Sequence, residues 1–160
     1  MSEIHKTVTI DASAEKILEF IDNPENIPTY APNVVRVVDI VQSGRKVGDT
    51  FRVIYKALGM TFDERLSVTA FESPRKTTPH RRYQIRRSFD GAMKGSLTWT
   101  LEAQDNQTDA SVDVEYKSRG GVVGKAVDTV LLERTNERNI EHMLENMKRV
   151  LGPQITATSS

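Results

Sequence analysis

Apolar and polar residues alternate in "IHKTVTI", Ile4 to Ile10, which is the period of a strand with one buried face. "DAS" then stops the alternation, and the spacing of Ala14, Ile17, Leu18 and Ile21 predicts a helix with one apolar face, capped by Ser13 or Asp11. "NPEN" restarts a short second helix, with Asn23 as cap and Pro24 at its first position, and Pro28 and Pro32 are expected to end it. From Val34 to Arg119 the pattern is again of period two, broken by turn signals at Ser43–Gly48, Leu58–Gly59, Ser73–Pro79, Asp90–Gly91 and Asp105–Asp109, which gives six more strands. "RGG" leads into a stretch from Asp128 to Leu151 that contains no proline or glycine and reads as one long helix. Strands run together with helices set apart indicate an α+β domain built on an antiparallel sheet, one face of which a helix can cover. Seven strands curling round the long helix would leave a space between them.

The long helix carries two apolar stripes. Ile140, Met143, Leu144, Met147, Val150 and Leu151 form one, and Val123, Val127, Val130 and Leu131 the other, rotated from it by roughly 130° at about 100° per residue. If the first faces the sheet, extending it backwards along a straight helix turns Asn136, Glu133 with Leu132, and Thr129 inward. Val123, Val127, Val130 and Leu131 are then left for a second apolar contact, such as a homodimer interface.

The turns set an expected register, because each hairpin should place apolar residues opposite one another. About Leu58–Gly59, Phe51 meets Leu66 and Tyr55 meets Phe62. About Arg75–Lys76, Leu66 meets Ile85 and Val68 meets Tyr83. About Gly91, Ile85 meets Leu97 and Tyr83 meets Trp99. About Asn106–Gln107, Trp99 meets Val114 and Leu97 meets Tyr116. One apolar face results, and two charged residues fall on it. They are Glu64 and Arg87, which this register places opposite each other, with Gly95 beside Arg87 on the next strand. Buried charges are costly unless paired or solvated, so these two are either a structural ion pair or a polar anchor in a pocket.

Composition narrows the function. The 160 residues suit one domain, expected over 1–152, with the polar stretch 153–160 as a disordered tail. Lys+Arg and Asp+Glu are equal at 22 each, so there is no wide basic footprint for nucleic acid. "PHRRYQIRR" interleaves its charges with apolar residues and reads as a strand with a charged face. The absence of cysteine excludes disulfides, thiolate metal sites and cysteine nucleophiles. No apolar run suits a signal peptide or a membrane span, so a cytoplasmic protein without stable membrane insertion is expected. GxSxG and HExxH do not occur, and "GGVVGKA" at 120–126 is one residue short of a phosphate loop and lacks its Ser/Thr. His5, His80 and His142 have no metal-ligand spacing, so no metal and no cofactor is expected.

The order of elements, with "VTIDASAEKILEFIDNPENIPTYAPNVVRVVDI", "VGDTF", "FESP", "GSLTWTLEA", "DASVDVEY" and "NIEHMLENMKRVL", resembles the START-like superfamily. That superfamily includes polyketide cyclases and aromatases, coenzyme-Q-binding proteins and the birch pollen allergen family. The resemblance runs from about Ile4 to Leu151, and Ile27 and Tyr30 of "IPTYAP" stand where the family has tryptophans. It implies a helix-grip fold: a seven-stranded curved sheet around a C-terminal helix, with a cavity between them for a hydrophobic or amphipathic small molecule such as a lipid, quinone or polyketide. The expected lining is Tyr30 from the short helices. From the strands come Phe51, Tyr55, Phe62, Glu64, Leu66, Tyr83, Ile85, Arg87, Leu97, Trp99 and Tyr116. The helix adds Thr129, Glu133 and Asn136. A carrier needs only the cavity. A polyketide cyclase or aromatase would use Glu64, Arg87, Tyr55 or Tyr83 as acid, base or oxyanion donor. A protein-interaction module is the third reading.

Overall fold

The structure is a computed structural model that describes residues 2–43, 47–74, 81–118 and 129–152. The strands are β1 (Ser2–Ile10), β2 (Val34–Val41), β3 (Thr50–Ala57), β4 (Met60–Glu72), β5 (Arg82–Gly91), β6 (Met93–Gln104) and β7 (Gln107–Ser118). The helices are α1 (Ala14–Asp22), α2 (Ile27–Tyr30) and α3 (Thr129–Leu151). All seven strands pair antiparallel in one sheet of order β1-β7-β6-β5-β4-β3-β2, with α3 packed against β1 and β3. The predicted α+β helix-grip architecture is the one observed.

Local chemistry explains the helix starts. The Ser13 side chain, not Asp11, caps α1 by accepting from the Lys16 N–H, and Ala14, Ile17, Leu18 and Ile21 are buried beneath it. Ser13→Ala is expected to cost about 1 kcal/mol in chemical denaturation, the usual value of one N-terminal cap. Asn23 caps a single 3-10 turn, Pro24–Asn26, through the Glu25 N–H. The expectation that Pro28 ends this segment is wrong. Pro28 lies in the first turn of α2, where its missing N–H has no intrahelical partner to lose.

The faces of the strands are as predicted, but three of the four expected registers are not. The β3–β4 hairpin matches, with Phe51 opposite Leu66, Tyr55 opposite Phe62, and positive φ at both Leu58 and Gly59 in the turn. Between β4 and β5, Leu66 meets Phe89 rather than Ile85, and a bulge between Val68 and Ala70 then brings Phe71 opposite Ile85. Between β5 and β6, Ile85 meets Trp99, and between β6 and β7, Leu97 meets Val114. Outside the bulge each slip is by two or four residues and no side chain changes face, whereas beyond it Phe71, not Ala70, shares the face of Ile85.

The stripe of α3 nearest its C-terminus clamps the helix to the sheet. Met143, Leu144, Met147 and Leu151 are buried, and Asn146 donates to the Tyr30 carbonyl of α2. The stripe continues backwards through Ile140 and Asn136 to Leu132, which is buried. Glu133 does not turn inward as expected. It is exposed and accepts from the Ser2 hydroxyl at the edge of β1, and its neighbour Leu132 takes the inward position. Val130 and Leu131 are exposed, while Val123, Val127 and the side chain of Thr129 lie outside the described residues.

Candidate functional site

Between the sheet and α3 lies a cavity of about 180 Å³. Its floor is the concave face of the sheet, from Val53 and Tyr55 across to Val114 and Tyr116. Its roof is one face of α3, made of Asn136, Asn139, Ile140 and Met143, and Ile27, Tyr30 and Ala31 close one end. An apolar cavity of about 150 Å³ holds a benzene ring, so this one has room for a small ring system. Leu66, Phe89 and Leu97 are only partly buried on the inner face of central strands, which is where the space lies.

Glu64 is 3 % exposed. One oxygen, Oε1, accepts from the Met93 backbone N–H at 3.0 Å and from the Tyr55 hydroxyl at 3.4 Å. The other, Oε2, has no hydrogen-bond partner. Burial pushes its carboxyl up to about 7, against the pull of Met93 and Tyr55, with Asp63 and Asp90 adding to the rise. Gly91 is the cross-strand partner of Glu64. A Cβ at this glycine would fall far inside contact distance of Glu64 Oε2 and of the Asp63 carbonyl, so the glycine makes the room in which the carboxyl sits. Tyr55 stacks on Phe62, its hydroxyl raised above the ordinary range by burial and by Glu64. Tyr116 is also buried, and its hydroxyl has no hydrogen-bond partner.

Arg87 occupies a different part of the wall. Its Nη2 donates to the Ile21 carbonyl at 2.9 Å, and the guanidinium lies 5.1 Å from the Phe51 ring centroid. Nε has no hydrogen-bond partner. Burial lowers the guanidinium's proton affinity, while Tyr30 and Asp22 support its charge. Burial raises the Tyr30 hydroxyl to about 12, with Arg87 pulling it down.

The predicted pairing of Glu64 with Arg87 is therefore overturned. Arg87 lies opposite Val68 and Leu97, and Glu64 lies opposite Gly91 and Val53. Four residues of strand, about 13 Å, separate the two along β4. The glycine that serves the site is Gly91 beside Glu64, whereas Gly95 lies opposite Phe89 and Tyr116, where a Cβ would collide with the backbone of β7.

Of the predicted lining, Tyr30, Tyr55, Glu64, Leu66, Arg87, Leu97, Trp99, Tyr116 and Asn136 form the cavity wall. Four others serve the core or the rim instead: Phe51 supports Arg87, Phe62 supports Tyr55, Ile85 is core, and Tyr83 donates to Glu15 of α1. Glu133 is exposed to solvent, and the side chain of Thr129 lies outside the described residues.

The family described as "Polyketide cyclase / dehydrase and lipid transport" matches residues 1–152. The chain belongs to this family. No curated protein matches it in sequence. Its fold recurs in the Zhui aromatase/cyclase from Streptomyces sp. R1128, at 17% identity and a TM-score of 0.72, over 94% of this chain and 93% of that one. The STAR-related lipid transfer protein from Xanthomonas axonopodis gives 14% and 0.72, over 93% and 85%. A START superfamily protein from Mycobacterium smegmatis gives 16% and 0.64, over 93% and 96%.

Several wall residues lie outside the predicted lining, Met93 and Asn139 among them. Met93 begins β6 just after the β5–β6 turn and contributes its backbone N–H, which no side-chain pattern reveals. Asn139 reads as a solvated position, yet it follows Asn136 by three residues and so shares its face of α3. Among the described residues no group of three or more His, Asp or Glu is placed to hold a metal ion. No described helix is long and apolar enough to cross a membrane.

Proposed function

We propose that this protein binds a hydrophobic or amphipathic small molecule in the cavity between sheet and α3, with Glu64 and Arg87 as separate polar anchors. One observation carries the reading. The cavity is walled mainly by apolar side chains, yet Glu64, Arg87 and Tyr116 in that wall each hold a buried polar atom without a protein partner. Such atoms are rare in folded proteins, and here they belong to residues that line a cavity of ligand size. The family description, which joins cyclase activity with lipid transport, supports a small apolar ligand of either kind.

Native mass spectrometry of protein purified without denaturant is expected to show a co-purified small molecule. Adding that molecule at a hundred times its Kd should raise the unfolding free energy by about 2.7 kcal/mol. Leu97→Phe fills the cavity and should abolish this gain while leaving the free protein folded. If the gain persists in Leu97→Phe, the ligand binds elsewhere.

A cyclase is the second reading, and Glu64 favours it. A carboxyl displaced to about 7 exchanges protons at neutral pH, as a general acid or base must. Glu64→Gln should then abolish turnover of a poly-β-ketone substrate without abolishing its binding. Equal turnover by the variant would leave the carrier reading.

A further inference from the structure

We infer that the outer face of the sheet binds a phosphate or diphosphate group, in a serine-floored depression ringed by Arg65, Arg86, Lys94 and Lys117. The depression, of about 550 Å³, is open to solvent. Its side chains alternate along the strands with Leu66, Arg87 and Leu97 of the cavity wall and so point away from the cavity. The floor crosses three strands. Ser67 of β4 lies opposite Ser88 of β5, and Ser88 lies opposite Ser96 of β6. At the usual strand spacing of about 4.8 Å, hydroxyls on neighbouring strands can both reach oxygens of one tetrahedral anion.

These hydroxyls are unused. Thr7 and Ser111, another opposite pair on the sheet, bond each other at 2.9 Å. Among the described residues the hydroxyls of Ser67 and Ser88 have no protein partner, and Ser96 accepts only from the Arg86 guanidinium at 3.4 Å. The cations are unused too. Arg52, Arg82 and Lys6 each meet a carboxylate. Among the described residues none of Arg65, Arg86, Lys94 and Lys117 lies in an ion pair. Lys94 faces Lys117 directly, which destabilises a strand pair unless negative charge lies close to both. Asp90 and Glu115 share the depression, so four cations stand against two carboxylates in a chain whose formal net charge is zero. Phosphate oxygens accept from hydroxyl, ammonium and guanidinium donors alike, and the group carries more charge than a carboxylate. A nucleic-acid strand requires a wider basic footprint than these four side chains provide. The phosphate belongs either to a soluble molecule or to a lipid headgroup.

The probe is pyrophosphate, titrated calorimetrically into the full-length protein at neutral pH and low salt. Ser88→Ala keeps every charge, and Lys117→Gln keeps every hydroxyl of the floor. Each should weaken binding about tenfold, the value of one hydrogen bond to a charged group. Lys148→Gln, exposed on α3, should bind as the wild type does. Absence of pyrophosphate binding, wild-type affinity in Ser88→Ala, or an equal loss in Lys148→Gln overturns the inference. Sedimentation with phosphatidylcholine vesicles containing phosphatidic acid then identifies the source. Co-sedimentation that Ser88→Ala and Lys117→Gln both reduce assigns a lipid headgroup, and pyrophosphate binding without it assigns a soluble phosphate.

Discussion

Replacing Glu64 with Gln is expected to abolish a loss of about 3 kcal/mol in folding stability that the native protein suffers as the pH rises from acid to neutral. The sign follows from the direction of the shift. The Glu64 carboxyl is raised from 4.5 to about 7, so between those values the folded protein holds a proton that the unfolded chain has released. Wherever the folded state binds more protons, stability falls with rising pH. The loss begins near the lower value and is complete above the upper one. The cause is burial of a carboxylate that has only two hydrogen bonds, both to Oε1. Glutamine cannot ionise, so its curve lacks this component, and the other titrating groups cancel in the difference between the two proteins. Urea denaturation of both across that pH range is the measurement. Parallel curves would show that Glu64 is not desolvated in the folded protein.

Gly91→Ala should destabilise the fold by about 3 kcal/mol, at the upper end of the usual penalty for overpacking. A methyl group there collides with the Asp63 carbonyl as well as with Glu64 Oε2. The carboxyl could swing aside, but the carbonyl is backbone, and it belongs to the β3–β4 pairing in which Asp63 lies opposite Ile54. Relief therefore requires β4 and β5 to separate, or the β5–β6 turn to shift. Denaturant midpoints will measure the cost, and the pH dependence of Glu64 should weaken with it, because a displaced carboxyl reaches water. A loss below about 1 kcal/mol would mean that the turn relaxes freely and that Gly91 does not seat the carboxyl.

The slips in expected register show where sequence information stops. Alternation places Glu64 and Arg87 on the apolar inner face of their strands. Alternation repeats every two residues and therefore specifies pairing only up to an even slip. The slips are of that kind, with Phe89 in place of Ile85 opposite Leu66 and Trp99 in place of Leu97 opposite Ile85. The bulge between Val68 and Ala70 is a backbone event with no side-chain signature in this sequence. The four-residue slip of β4 against β5 separates two charges that looked like partners.

The long helix gives the same lesson in another geometry. Its two stripes were legible, and the one from Ile140 to Leu151 is the clamp on the sheet. Counting by turns could not decide between Leu132 and Glu133 as the inward residue, since the two are adjacent and differ by about 100°. Contact with β1 decides it, where the Ser2 hydroxyl reaches Glu133 on the outside.

The sequence by itself determined the order of elements, the antiparallel sheet, the face each strand buries and the presence of two ionisable groups on that face. These are local properties, set by period, turn residues and caps. Only the tertiary structure decided which residues meet across the strands, that Glu64 and Arg87 stand apart, and that Gly91 rather than Gly95 makes room for the carboxyl. Those facts depend on turn length, a bulge and the seating of a helix, which side-chain patterns specify only up to a repeat.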